Sequence, residues 1–483
     1  MKKVFGIAAL LLALAACNKI ETEITPAGQS SAGKGITITA TLAPKTADTK
    51  AVADNGDNKI TVTWAQNEHI AILYEVGGTK YMADASIKSV DAGGSATIEF
   101  TVVDGTPDNT ACTLVYPLAA AKDDHTDVKD AATLLAAQDG TLSADLDVRV
   151  GAGSIQTSTP GLDVTTQPAA QFAIFKFTVK NYDGSAAIST KPLTVTIGTQ
   201  DYVITPATAT DVLYAALPAV SDEKVSFDAK DGSDKTYTCA NLSVSFEAGK
   251  YYQTTLKMRE YVDLGIVVEG KKIKWATCNV GGIHPQDYGD YFAWGATVPF
   301  YAEGHSQDNP CNDWISGKTG YNWTSYPFML FGQSNWSYIK KYTVADDRTS
   351  GIWYGGGGNF IGDNKTVLDF EDDAARANWG GSWRMPTYAE MEELLALSRE
   401  WVTYEGVGGY RFTGSNGKTL FLPAAGHRDN VYLDFAGIFG LYWSSSLSED
   451  LSVYARGVLF YDTGVDRGYE DRNYGRSVRP VSE

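Results

Sequence analysis

Cysteine and histidine are scarce in this 483-residue chain, with five of each, and neither type is grouped. No C-x-x-C pair and no H-x-x-x-H spacing occurs, so neither a zinc site nor a dithiol redox centre is expected. Cation is also in deficit: 40 Lys and Arg stand against 58 Asp and Glu, giving a formal charge of −18 and a pI near 4.8. No basic run offsets this, which argues against a nucleic-acid partner, since phosphate binding needs concentrated Lys and Arg. No histidine lies in a G-x-S-x-G setting, so nucleophilic catalysis lacks its usual frame. His427, in Ala425-Gly-His-Arg-Asp429, is the one histidine beside a charged cluster and the sole candidate base. Gly355-Gly-Gly-Gly-Asn359 lacks the Lys-Ser/Thr and helix of a phosphate loop. No cofactor and no metal are expected.

A long apolar run is likewise missing: Phe5 to Ala13 is too short to span a bilayer as a stable helix. With Lys2 and Lys3 before it, Met1 to Ala16 reads as a signal peptide. Leu14-Ala-Ala-Cys17 looks like a bacterial lipobox, which makes Cys17 the lipidated residue of the mature protein. Acyl chains there would anchor it firmly, at roughly 0.8 kcal/mol per buried methylene. Asn18 is not the Asp that favours inner-membrane retention in the lipoproteins this resembles, so the expected address is the outer membrane. Residues 17–35, rich in Thr, Ser, Gly and Pro, read as a tether. The remaining cysteines, Cys112, Cys239, Cys278 and Cys311, allow three pairings. In an exported chain, Cys112 with Cys239 or Cys278 with Cys311 is compatible with the domain boundaries. Against this, Cys112 and Cys239 sit in alternating apolar runs, as small buried hydrophobes would.

At this length two or three domains are expected. From residue 36 the chain alternates at period two, in Ile36–Leu42, Ile60–Trp64, His69–Tyr74, Ala96–Val102 and Cys112–Tyr116. Short strands separated by turns predict a β-sandwich over 36–150. A Gly/Ser/Thr/Pro stretch reads as a linker over 151–164. A second all-β unit follows over 165–258, with strands at Phe172–Val179, Leu193–Ile197, Tyr202–Ile204, Lys224–Phe227, Tyr237–Cys239 and Leu242–Phe246. Ala131–Ala137 is expected to be connection.

The composition then shifts, because every tryptophan except Trp64 lies after residue 270. Rings that each bury roughly 150–250 Å² predict a loop-rich domain held by aromatic anchors. Thr387 and Glu390 make an S/T-x-x-E capping box that starts a helix near Tyr388. Met391, Leu394, Leu395 and Ser398 give its buried stripe, with Glu390, Glu392 and Glu393 toward water. Asp369, Glu371, Asp372 and Asp373 lack the D-x-D-x-D-G spacing of a calcium loop and read as the start of a helix over Asp369–Asn378. Trp314, Tyr321, Trp323, Trp336, Trp353 and Tyr354 are interleaved with Asn, Ser, Asp and Gly, without helix or strand periodicity. Such rings either stack on a sugar or protein partner or hold the loops together as a substitute core.

Two resemblances follow. Arg384-Met-Pro-Thr-Tyr-Ala-Glu390 resembles a segment shared by the C-type-lectin-like and formylglycine-generating-enzyme-like folds. Val262-Asp-Leu-Gly265, Trp275-Ala-Thr-Cys-Asn-Val-Gly281, Tyr288-Gly-Asp-Tyr-Phe-Ala-Trp-Gly295, Asp372-Asp-Ala-Ala375, Phe421-Leu-Pro-Ala-Ala-Gly426, Tyr442-Trp-Ser-Ser-Ser446 and Arg476-Ser-Val-Arg-Pro-Val481 extend it. Over 260–483 the chain thus looks like the Fibrobacter succinogenes major paralogous (FISUMP) domain within that group. The resemblance implies an α+β domain in which the His427 block is a strand leading into a turn. No cysteine follows Cys311, so formylglycine-generating activity is not implied, and the Glu-Pro-Asn and Trp-Asn-Asp motifs of calcium lectins are missing. Upstream, Thr63–Tyr74, Val115-Tyr-Pro117 and Phe246–Tyr252 resemble the fimbrillin-like superfamily of Bacteroidota, which implies two transthyretin-like β-sandwiches. Glu68 stands where that family often has Asp, and no Arg-based propeptide site is evident, which fits an accessory or non-polymerising relative.

The expected protein is mainly β: two sandwiches as stem, an α+β head, and a lipid anchor on the outer membrane. The expected role is non-catalytic, an adhesin or fimbria-associated protein that binds a glycan or protein through its head. The alternatives are an anchor or tip subunit that joins fimbrial subunits, and an enzyme working through the head.

Overall fold

The computed structural model describes residues 35–45, 63–301, 311, 313–346 and 349–483. The expected signal, Cys17, nearly all of the tether and the start of the Ile60–Trp64 run lie outside them. The fold is mainly β.

Seven strands make the first sheet: β1 (Ile36–Leu42), β2 (His69–Val76), β3 (Thr79–Val90), β4 (Ala96–Val102), β5 (Thr110–Tyr116), β6 (Arg149–Gln156) and β7 (Gly161–Ala170), in the order β1-β4-β3-β2-β5-β6-β7. The sheet curls until β1 and β7 meet, with Ala43 N donating to Gln167 Oε1 at 3.3 Å. Period-two alternation decides what it encloses: Ile38, Ala40, Leu42, Ile70, Ile72, Ile98, Phe100 and Leu114 point inward and are buried. Trp64 is buried with them, though residues 63–65 form no strand.

The expected linker over 151–164 is therefore corrected, since it forms most of β6 and the start of β7. Its glycines mark close strand approach: a Cβ on Gly151 would lie 2.7 Å from Thr166 O, and one on Gly153 2.7 Å from Asp163 O. The first unit thus runs on to Ala170. Between β5 and β6, Ala131–Leu134 forms one helical turn (α1), with Asp130 as its N-cap.

The second unit comprises β8 (Phe172–Asn181), β9 (Thr190–Ile197), β10 (Gln200–Ile204), β11 (Val212–Pro218), β12 (Val220–Asp231), β13 (Thr236–Phe246) and β14 (Tyr251–Val268). One layer is β11-β8-β14 and the other β10-β9-β12-β13, continued by the far half of β14. Phe175, Phe177, Phe227 and Phe246 pack between the layers. The two units share a core: Ala71 and Leu73, on the outer face of β2, pack with Phe172 to Val179 and the connecting Ala120, Leu135 and Leu146.

Strand β14 crosses the boundary expected at 258–260. Tyr251–Met258 pairs in parallel with β8, Arg259–Tyr261 pairs with β13, and Tyr261–Val268 pairs with β15 (Lys271–Ala276). Stem and head are therefore joined by one continuous strand.

The head adds β16 (Tyr291–Phe292), α2 (Ala374–Trp379), α3 (Tyr388–Ala396), β17 (Ser398–Tyr404), β18 (Val407–Thr413), β19 (Thr419–Pro423), β20 (His427–Asp429), β21 (Tyr432–Asp434), β22 (Gly440–Leu447), β23 (Tyr454–Tyr461), β24 (Gly464–Asp471), β25 (Arg476–Ser477) and β26 (Val481–Ser482). β26 pairs with β15, so the last strand closes on the first. The sheet β16-β25-β22-β23-β24 and the hairpins β17-β18-β19 and β20-β21 complete it.

The Thr387–Glu390 capping box forms, and Met391, Leu394 and Leu395 are buried. Two details of that helix are corrected. Glu390 is 3% exposed, because Arg384 Nη1 and Nη2 donate to its carboxylate at 2.7 and 2.6 Å. Ser398 lies past the helix, at the start of β17. The helix expected over Asp369–Asn378 begins only at Ala374, capped by Asp373, after a 3-10 turn at Phe370–Asp372.

Candidate ligand-binding head

The aromatic tract is assembled around Tyr321, which is fully buried. Its hydroxyl donates to Tyr291 O at 2.6 Å and accepts from Phe300 N at 3.1 Å, while its ring stacks on Phe300 with centres 4.8 Å apart. Trp314 packs edge-on against it at 6.3 Å, and Trp323 meets Tyr326 at 5.4 Å. Trp353, also buried, lies 6.1 Å from Trp336 and 6.5 Å from Tyr354. Tyr321 and Trp353 thus cannot face a ligand, which corrects the expected contact surface at these two positions. Trp314, Trp323, Trp336 and Tyr354 are half-buried and lean on the same core. The six rings hold the loops together.

Buried arginines rivet this core, a feature that sequence reasoning missed. Arg472 Nε donates to Tyr326 Oη at 2.8 Å, Nη1 donates to Tyr342 O and Ser452 O at 2.8 Å, and its guanidinium lies 4.7 Å from the Trp294 ring centre. Arg479 likewise donates to Asn279 Oδ1 at 2.8 Å and Phe421 O at 3.0 Å. Burial pulls both guanidinium pKa values down. Irregular backbone leaves carbonyls unpaired, and a five-donor guanidinium can satisfy several at once. The only sequence signal was an arginine beside aromatic-rich blocks.

The acidic group Asp369, Glu371 and Asp372 converges as a metal site would. Lys341 Nζ already lies at its centre, 3.2 Å from Asp369, 3.1 Å from Glu371 and in contact with Asp372. Lys365 Nζ adds a second ammonium 2.5 Å from Asp369, and the three acids lie at the 3-10 turn ahead of α2 rather than in its first turn, which corrects the helix-start reading.

His427 sits on β20, its ring stacked on Phe435 with centres 6.0 Å apart and 5.6 Å from Tyr474. Burial, then the nearby Arg476, pushes its pKa down to about 4. Phe435 and Tyr474 are the rings packed against this imidazole. Cys112, Cys239, Cys278 and Cys311 are free thiols, so neither pairing is present; Cys112 and Cys311 are buried.

The tract keeps exposed side chains of its own, Phe331 at 99% and Ile361 at 65%, and the head also carries a cleft. This cleft of about 520 Å³ opens between the Val367–Phe370 segment, the start of α3 and the end of β22. Phe370 is 65% exposed at its rim, Arg456 lies 5.0 Å from the Tyr388 ring centre, and Glu392 and Glu449 face the same space. A planar ring, a guanidinium, carboxylates and the Ser446 hydroxyl give it both an apolar platform and polar groups.

No family model matches the chain, and no curated protein matches it. Among solved structures it is similar to a fimbrial protein from Bacteroides ovatus, at 12% identity over 93% of this chain and 99% of that one, with a TM-score of 0.25. It is also similar to a fimbrial assembly protein from Parabacteroides distasonis, at 12% identity over 47% of this chain and 95% of that one, with a TM-score of 0.27. Likenesses of that size carry no argument about function.

Proposed function

We propose that this chain is a non-catalytic surface lipoprotein, anchored in the outer membrane through Cys17, that acts as an adhesin or fimbria-associated protein. The observation that carries the reading is β14, which pairs with β8 in the stem and with β15 in the head and so couples the two units, as suits a protein that holds a head away from a membrane. The ligand, a glycan or protein surface, docks at the Tyr388–Arg456 cleft rather than on the tryptophan tract. The resemblance of the head to the FISUMP domain fits this use, since a lectin-like scaffold accepts many ligands.

The test is binding of the full mature chain to glycan arrays and extracellular-matrix proteins. A ligand whose retention falls at least tenfold in Tyr388→Ala and Arg456→Ala supports the reading. Blank arrays with folded protein, or binding that both variants leave intact, count against it.

A further inference from the structure

The interior of the first unit holds an arrangement that adhesion does not use. Lys45, just beyond β1, places its ammonium between two rings, 4.3 Å from the Trp64 centre and 3.8 Å from the Tyr116 centre. Nζ lies 3.0 Å from Asp147 Oδ2, and the two side chains are 1% and 2% exposed. Arg149 Nε donates to both Asp147 oxygens, at 2.8 and 2.9 Å. Glu68 completes the group: its Oε1 accepts from Tyr116 Oη at 2.8 Å and its Oε2 from Ala65 N at 2.9 Å.

A simple ion pair has little reason to be built this way, because taking both charges out of water costs several kcal/mol per ion. The same surroundings suit covalent condensation. Amine and carboxyl are in contact and buried from water, and a second carboxylate, Glu68, is fixed by the hydroxyl of the same Tyr116 whose ring the ammonium faces. We propose that Lys45 and Asp147 form an intramolecular isopeptide bond, with Glu68 as the proton carrier. The Lys45 nitrogen bonds to the Asp147 carboxyl carbon, and one carbon–oxygen bond breaks. That oxygen leaves as water with two of the three ammonium protons, and the third proton stays on the amide nitrogen. Glu68 takes a proton from the ammonium and returns it to the leaving oxygen. Arg149 offsets the charge gathering on the tetrahedral carbon's oxygens. No oxidant, reductant or further reactant is needed.

Burial lowers the Lys45 pKa despite the opposing pull of Asp147, which favours the free amine that attacks. The product would tie the end of β1 to the residues entering β6 across 102 positions of chain. That bond concerns the stem alone and holds whether or not the head binds a ligand.

Peptide mapping of the full mature chain by mass spectrometry decides it. The expected result is a branched peptide joining the segments around Lys45 and Asp147, lighter than their sum by one water, with no tryptic cut after Lys45. Lys45→Arg keeps a cation in the cage and should lose the branch, and Glu68→Gln should reduce its yield at least tenfold in folded protein. Asp147→Asn should give the same branch with loss of ammonia. Release of an unmodified Lys45 peptide from the native chain overturns the proposal, and a branch at full yield in Glu68→Gln overturns the role of Glu68.

Discussion

The guanidinium of Arg259 lies 3.6 Å from the ring centre of Trp379, joining the stem's last strand to a helix of the head. Its other face lies 3.1 Å from the centre of Tyr182, in the turn after β8. A planar cation between two rings from different units is a clamp, and burial pulls its pKa down to about 10. Desolvated cation–π contacts contribute about 2 kcal/mol. Arg259→Ala should therefore cost about 2–3 kcal/mol and split the thermal unfolding of stem and head into two calorimetric transitions. Arg259→Lys should recover little, because an ammonium cannot lie flat against both rings. A single unshifted transition in Arg259→Ala would remove the clamp.

The start of α3 offers a graded test. Thr387 Oγ1 accepts from Glu390 N, and Thr387→Ala should cost about 1 kcal/mol in urea unfolding. Glu390→Ala should cost about 3 kcal/mol, since it strands Arg384, whose side chain is 16% exposed, with Glu483 as its remaining carboxylate. Equal costs would mean that the bidentate pair adds nothing beyond the cap.

That contrast shows what could be read in advance. The box at Thr387 and Glu390 is local, so its spacing announced the helix. The burial of Glu390 depends on Arg384, placed by a backbone pairing between Arg384 and Val481 about a hundred positions away, which no local pattern reveals. Period-two runs located β1, β2, β4, β5, β8, β9, β10, β12 and β13 for the same reason, and no strand of the head. The β6–β7 hairpin was read as a linker because its glycines serve strand contact, and their partners, Thr166 and Asp163, lie across the turn. The six aromatic residues were found, but composition cannot tell a ring that covers a core from one that meets a partner. The cleft was illegible, since its lining comes from segments as far apart as Val268 and Glu483.

The free cysteines set a chemical expectation. Burial pushes the Cys112 thiol up to about 12 and raises Cys239 and Cys278 as well. Native protein should leave these three unlabelled by a thiol reagent over hours, with full labelling in denaturant and the same urea midpoint with or without reductant. A midpoint that falls on adding reductant would mean that a disulfide is present after all.

His427 makes the acid limb of stability measurable. Its folded-state pKa of about 4 lies below the roughly 6.5 of an unfolded histidine. Above pH 6.5 neither state binds the proton, and the residue contributes no pH dependence. As pH falls from 6.5 toward 4 the unfolded chain takes up a proton that the folded one refuses, so stability is lost through this window and levels off below it. The size is at most about 3 kcal/mol, at roughly 1.4 kcal/mol per pKa unit. Carboxylates held low by partners, such as Asp369 and Glu483, lose stability in the same direction, so the wild-type curve alone cannot assign the effect. The measurement is the difference between wild type and His427→Gln in urea unfolding from pH 7 to pH 4. The variant should be the less stable at pH 7, where it loses the ring stacked on Phe435, and the gap should narrow steadily toward pH 4. A gap constant across that range would mean that His427 takes up its proton equally in the folded and unfolded chains, which would remove the lowered pKa.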